Sequence, residues 1–518
     1  MSWKRSRHVS WKGKAMVAVA SGMASAVVAP QAFAGTAAVA GANYNAATDP
    51  YSMAATDAAT GAPAWWATGA TGRGVDVAVI DTGVSPVPGL SAAGKVVNGP
   101  DLALDAADPT LRDLDENGHG TFMAGLIAGD DAATGYRGVA PGARIVNLKV
   151  GVADGEVDVS QVIAAIDWVV QNKAAHGLNI RVLSLSYGTN STQGYASDPL
   201  AFAVEQAWKA GIVVVAAAGN TGFQQGTGAP GLADPGYDPF IITAGGYDTM
   251  GTADGADDAV GTYSASSAGC ASCKAPDLVA VGSHLQGLRV PGSYIDLNHP
   301  VGRLGTEFFR GSGTSEATAV TAGAAALVLS ARPDLTPDQV KSLLTATATP
   351  IPGASRAAQG AGRLDLTAAL TAAVAPAASV VQTAPPSTGT GSLERSRGTD
   401  HVDLDGTELD GERDVQLNPF SSAGMAALEA RQAAWSGPTW NRGIYVGELA
   451  YELPAWSGLH RFEKHQNPGQ SWTGGSWSGT SWSGTSWSGT SWSGTSWSGT
   501  SWSGTSWSGT SWSSASWQ

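Results

Sequence analysis

Five short apolar runs, separated by helical patterns, limit what this chain can fold into more than any other feature. Val75 to Ile80 is apolar apart from Asp76, and Ile145 to Val150, Ile180 to Leu185, Gly211 to Ala218 and Phe240 to Ala244 have the same character. A strand that is apolar on both sides must be covered on both sides, as in a parallel sheet with helices on each face. The stretches between the runs supply those helices. Ser160 to Ala174 places Val162, Ile166, Val169 and Val170 on one face at helical spacing. Asp198-Pro199 opens a second helix, with Asp as cap and Pro at the first helical position, that ends at Gly211. Thr336-Pro337-Asp338 opens a third in the same way. Strands alternating with helices of this length predict an α/β fold of three layers, a mostly parallel sheet between two layers of helices. In such sheets the working residues gather beyond the carboxyl ends of the strands.

Three polar motifs fall at those ends. The first run closes on Asp81-Thr82-Gly83, which puts a carboxylate at a strand tip. His119 lies between Gly118 and Gly120 at the entry to a helix of small residues, and the chain has only 8 histidines to spend. Ser315 follows Gly311-Ser312-Gly313-Thr314 and precedes an unbroken run of small and apolar residues, Ala317 to Leu329. That pattern places its hydroxyl in the first turn of a buried helix, at the electropositive end. Asp81, His119 and Ser315 together supply what acyl transfer needs. A serine hydroxyl is a poor nucleophile until an imidazole takes its proton, and a carboxylate must hold that imidazole in the right tautomer. The order Asp, His, Ser is one of the known triad orders. Ala216-Ala217-Ala218-Gly219-Asn220 adds an amide at another strand tip, able to donate to an oxyanion beside the backbone N–H of Ser315.

With these residues in view, the stretch from Trp65 to about Val374 resembles a subtilisin-like serine peptidase, or subtilase. The matching motifs are Asp81-Thr82-Gly83, His119-Gly120-Thr121, Ala218-Gly219-Asn220 and Gly313-Thr314-Ser315. The resemblance implies a triad of Asp81, His119 and Ser315, with Asn220 as oxyanion donor. It also implies two substrate-lining edges, Ser184, Leu185, Ser186, Tyr187 and Gly188 on one side and Ala217, Ala218 and Gly219 on the other. A peptide would dock there as an added strand. The chain departs from the family at Glu316, where Met is usual, and at Ala319, where Pro is usual. Glu316 sets a second carboxylate beside the nucleophile. No cofactor is required. The family's calcium site looks degraded, because its aspartate aligns near Gly89 and Ala132 replaces an asparagine ligand in the loop Asp130 to Gly135.

The remainder of the chain concerns export and attachment. Lys4, Arg5, Arg7, Lys12 and Lys14 precede an apolar stretch closing on Ala32-Phe33-Ala34, which reads as a secretory signal peptide over 1–34. Residues 35–62 read as an exposed N-terminal arm, and 63–375 as the peptidase domain. Cys270 and Cys273 are the only cysteines, and after export they are expected to form a local disulfide. The span 376–470 reads as a linker with a solvated acidic segment from Asp400 to Asp414. From 471 to 518 Ser-Trp-Ser-Gly-Thr repeats with a period of five, which matches neither strand nor helix. This low-complexity tail resembles those of actinobacterial secreted subtilases. Its evenly spaced rings either stack on sugar faces, giving cell-wall or glycan contact, or form a passive tail. An attachment protein that uses the peptidase fold as a carrier is the alternative to a secreted endopeptidase acting on protein or peptide substrates. A formal charge of −14 argues against nucleic acid as a partner. After signal removal no other run is long and apolar enough to span a bilayer.

Overall fold

The computed structural model describes residues 44–440, except 107, 223–230, 269, 271, 400, 403–407 and 437–438. In chain order, the elements that build the domain are β1 (Asp76–Asp81), β2 (Val96–Asn98), α1 (His119–Ala128), β3 (Arg144–Lys149), α2 (Val159–Asn172), β4 (Ile180–Leu185), α3 (Pro199–Lys209), β5 (Val213–Ala217), β6 (Ile242–Asp248), β7 (Leu278–Val281) and α4 (Thr314–Ala331). The seven strands stand in the order β7-β6-β5-β4-β1-β3-β2, every neighbouring pair parallel. A short strand, Ala259–Val260, joins β6 antiparallel. All six residues of β1 and all five of β5 are buried, as their apolar runs require.

Helices cover both faces. α4 crosses β4, β5 and β6 and packs on α1, whereas α2 and α3 pack on each other. The helix starts follow the sequence closely. Asp158 caps α2 in a reciprocal capping box with Gln161. Asp198 accepts the N–H groups of Leu200 and Ala201 at the head of α3, with Pro199 in its first turn. Thr336 and Gln339 form the same kind of box at the head of Pro337–Ala346. From Thr314 to Leu329 every residue of α4 is buried. This helix is therefore not amphipathic, and its alanines, glycine and threonines let it lie close to the sheet.

Two expectations are corrected. Residues 35–62 were expected to be an exposed arm, yet the described part, 44–62, is docked. Helix Met53–Thr60 buries Met53, Thr56 and Asp57. Met53 N–H donates to Gln286 Oε1 at 2.9 Å, and Arg310 meets Asp49 at 2.7 Å. The second correction concerns the linker 376–470, whose described part, up to 440, packs against α2 and α3. Arg397 is wholly buried and donates to Asp158 at 2.6 Å and to the carbonyl of Gly411 at 2.7 Å. Trp435 Nε1 donates to the carbonyl of Ala164 at 2.8 Å and Trp440 Nε1 to Asp167 at 2.9 Å. Within the acidic stretch, Val402, Leu409 and Asp414 are buried rather than solvated. A few isolated anchors hold this segment, so no periodicity betrays it. The structure joins Cys270 to Cys273 across a Cα separation of 5.4 Å. No helix among the described residues is long and apolar enough to cross a membrane. The signal-peptide and repeat-tail readings lie outside the described residues.

Candidate active site

The motifs converge on one rim of the sheet. Asp81 ends β1, His119 starts α1, Gly219 and Asn220 follow β5, and Ser315 occupies the first turn of α4. His119 Nδ1 lies 3.0 Å and 3.1 Å from the two carboxylate oxygens of Asp81. Both residues are almost wholly shielded. Gly120 explains the glycine after the histidine, because a Cβ there would come within 2.1 Å of the Gly83 carbonyl and 2.9 Å of Asp81 Oδ1. Any side chain at 120 would pry the imidazole from its carboxylate.

The dyad has a scaffold that the sequence reading missed. Thr82 N–H donates to Asp81 Oδ1 at 2.7 Å. The Thr82 hydroxyl accepts the Gly120 N–H at 3.0 Å and donates to Asp115 Oδ1 at 2.8 Å. Asp115 also accepts the N–H groups of Gly118 and Thr121, each at 2.7 Å. One buried carboxylate thus binds both the entry and the first turn of α1 and ties them to the tip of β1. The only sequence signal was an acidic residue four positions before His119, a spacing that solvated loops share.

Burial pushes the Asp81 carboxyl well above the usual carboxylate range, with the Thr82 amide and hydroxyl opposing. Burial pushes His119 well below the ordinary imidazole range, with Asp115 opposing. These environments favour an uncharged imidazole, the form that accepts a proton.

On the nucleophile side, Asn220 Oδ1 accepts the Thr314 N–H at 2.8 Å and the Thr314 hydroxyl at 2.9 Å. These bonds fix the amide plane, with its NH2 turned away from Thr314. Thr314 Oγ1 also accepts the Gly219 N–H at 3.1 Å, and Ser186 Oγ donates to the Ser315 carbonyl at 3.1 Å. The Ser315 backbone is thereby clamped between the tips of β4 and β5. Its own Oγ is buried and has no hydrogen-bond partner among the described residues. Glu316 and His119 line one cavity together.

The two substrate-lining edges differ. Ser184 and Leu185 belong to β4, and Ser186, Tyr187 and Gly188 extend from its carboxyl end. The second edge does not offer free backbone at 218 and 219. The Ala218 N–H donates to Ala244, its carbonyl accepts from Ala233, and the Gly219 carbonyl accepts from Ala265, at 2.9–3.0 Å. Ala217 to Gly219 can wall a side-chain pocket but cannot add a strand there, a correction to the expected docking mode. The loop residues 223–230 that would complete that wall lie outside the described residues.

The calcium loop of the resemblance does not fit the ion. Asp131 is turned onto its own hairpin, accepting N–H groups of Ala133 at 3.1 Å and Thr134 at 3.3 Å and the Thr134 hydroxyl at 2.5 Å. Asp130 faces Arg137 at 3.8 Å.

Residues 72–365 match the model of the Subtilase family. The serine protease AprX of Bacillus subtilis (strain 168) is 40% identical over 279 residues, 53% of this chain and 61% of AprX. Subtilisin BL of Lederbergia lenta is 33% identical over 288 residues, 56% of this chain and 88% of that protein. Subtilisin NAT of Bacillus subtilis subsp. natto is 34% identical over 289 residues, 56% of this chain and 64% of its own length. The chain thus spans less than two thirds of AprX and of Subtilisin NAT. A match over more than half of the chain, on a parallel sheet with the aspartate motif at a strand tip and the histidine and serine motifs at helix starts, establishes that this chain belongs to the subtilase family of serine-type endopeptidases.

Proposed function

We propose that this chain is an exported serine endopeptidase of the actinobacterial secreted type, working through Asp81, His119 and Ser315. The pairing of His119 Nδ1 with the Asp81 carboxylate at 3.0 Å and 3.1 Å, on the rim that carries Ser315, supports the reading most directly. In it, Asp81 holds the Nδ1–H tautomer, which leaves Nε2 as the base. Nε2 takes the Ser315 proton as Oγ attacks the peptide carbonyl carbon. The carbonyl π pair moves onto oxygen, where the Asn220 amide and the Ser315 N–H receive it. The imidazolium then gives its proton to the departing amine, leaving an ester on Ser315. Water repeats the sequence and releases the acid. Each step is complete with these side chains and the Ser315 N–H. Substrates are proteins or peptides, lying against Ser186, Tyr187 and Gly188.

The test is casein hydrolysis by the secreted chain and by Ser315→Ala. Loss of hydrolysis in the variant, with an unchanged circular dichroism spectrum, is expected. Intact hydrolysis would refute the assignment. The repeat from Ser471 to Gln518 is proposed to contact cell-wall glycan. Deleting it should release the chain from cell walls without lowering hydrolysis, and unchanged wall binding would make the tail passive.

A further inference from the structure

Glu316 is the residue of this rim that the mechanism does not use. It follows the nucleophile in the first turn of α4 and is only 2% exposed. Its Oε2 is buried without a hydrogen-bond partner, and its Oε1 is so close to Gly311 that a Cβ there would lie 2.5 Å away. The carboxyl faces a cavity whose other walls include His119, Phe122, Leu288 and Arg310. A buried carboxylate demands a cation or several donors. The charged groups around it are committed elsewhere. Arg310 is held by Asp49 at 2.7 Å and by the His284 carbonyl at 2.6 Å. Arg289 forks onto Asp296 at 2.6 Å and 2.9 Å, and Arg303 also binds Asp296. The Tyr263 hydroxyl pairs with Ser283 at 3.1 Å. Asp81 adds a like charge close enough to be felt.

We propose that Glu316 works as an uncharged carboxylic acid beside the nucleophile, and that loss of its proton shuts the site down, so that this residue sets the alkaline limit of the reaction. The inference rests on the peptidase reading above. A carboxylate at 316 would sit one residue along α4 from Ser315, whose Oγ bears the tetrahedral intermediate, in a buried, low-dielectric surrounding. Two anions there oppose each other, and the transition state suffers more than the ground state. Burial lifts this carboxyl to about 8, with the residue's own backbone N–H opposing and Asp81 adding to it. It therefore stays protonated at neutral pH and ionises just above. Glu316 is a positioning residue for charge, not a group that touches the scissile bond.

The experiment follows kcat/KM on a chromogenic peptide, and the rate of fluorophosphonate labelling, from pH 6 to 10.5. The full secreted chain is compared with Glu316→Gln and Glu316→Met. Wild type should lose activity with a midpoint of about 8, whereas both variants should hold their rate to higher pH. The ratio of kcat/KM at pH 9.5 to that at pH 7 should rise by about thirtyfold in the variants, as expected for removing one titration 1.5 pH units below the reading. Active variants that keep the wild-type alkaline midpoint would overturn the proposal. No turnover and no labelling in wild type at any pH would instead sink the peptidase reading. Should both variants fail to fold, infrared difference spectra of wild type decide. A protonated-carboxyl band that bleaches near pH 8 in wild type and in Glu116→Gln alike supports the proposal, and its absence at pH 7 overturns it.

Discussion

The catalytic rim and the C-terminal segment each bury a carboxylate against a basic partner, and they do so to opposite ends. At the rim, Asp81 meets an imidazole that gains and loses a proton, on a scaffold of N–H donors from Thr82, Gly118, Gly120 and Thr121. In the C-terminal segment, Asp158 meets Arg397, whose guanidinium never gives its proton up. The first pair has tunable charge, as the proposed proton transfer requires. The second is locked and clips a distant piece of chain onto the head of α2. Burial alone does not make a functional carboxylate; the partner's capacity to titrate does.

If that contrast is right, substitutions at the two pairs separate cleanly. His119→Ala should lower kcat by roughly 10⁴-fold or more while the thermal unfolding midpoint barely moves. Arg397→Leu should do the reverse. It strands a buried Asp158 and should cost about 3–5 kcal/mol of stability, read by urea unfolding, with kcat per folded molecule within twofold of wild type. Equal losses of stability and rate in both variants would break the comparison.

Asp115→Asn tests the scaffold between these extremes. An amide NH2 in place of a carboxylate oxygen confronts the N–H of Gly118 or Thr121, and the loss of about 2 kcal/mol should be shared. We expect kcat to fall roughly tenfold with a small drop in unfolding midpoint. A change in stability with no change in kcat would remove Asp115 from the account of His119. Smaller still, Trp440→Phe deletes one indole donor to Asp167 and should cost about 1 kcal/mol with no kinetic effect.

Glu316 acts through pH rather than through a fixed loss. Its folded-state value is raised from 4.5 to about 8, so the folded chain retains a proton that the unfolded chain releases across that window. Stability therefore declines as pH rises from about 4.5 to about 8. Glu316→Gln should flatten that slope in urea titrations, and an unchanged slope would assign it to other buried acids.

The same two regions show why some of this was legible in the amino-acid order and some was not. The apolar runs of β1 and β5, the caps at Asp198 and Thr336, and the placement of Asp81 and His119 at strand tip and helix entry all rest on local rules of periodicity and capping. These rules act within a few residues. The roles of Asp115 and Thr82 depend on a turn closing across more than thirty positions, from 82 to 115. Nothing local distinguishes such an aspartate from a solvated one. The C-terminal segment is a stronger case. Leu393, Arg397, Trp435 and Trp440 are spaced without period among Ser, Gly and acidic residues. Only the grooves along α2 and α3 give them a pattern. Similarly, the occupied backbone of Ala218 and Gly219 reflects partners at 233, 244 and 265 that no motif encodes.

The central claim is that Ser315 is the nucleophile activated by His119. Peptide mapping after fluorophosphonate treatment of the full secreted chain tests it most directly. The account predicts one adduct per molecule, on Ser315, and its disappearance in His119→Ala at neutral pH. An adduct on another serine, or equal labelling of Ser315 without His119, would contradict it.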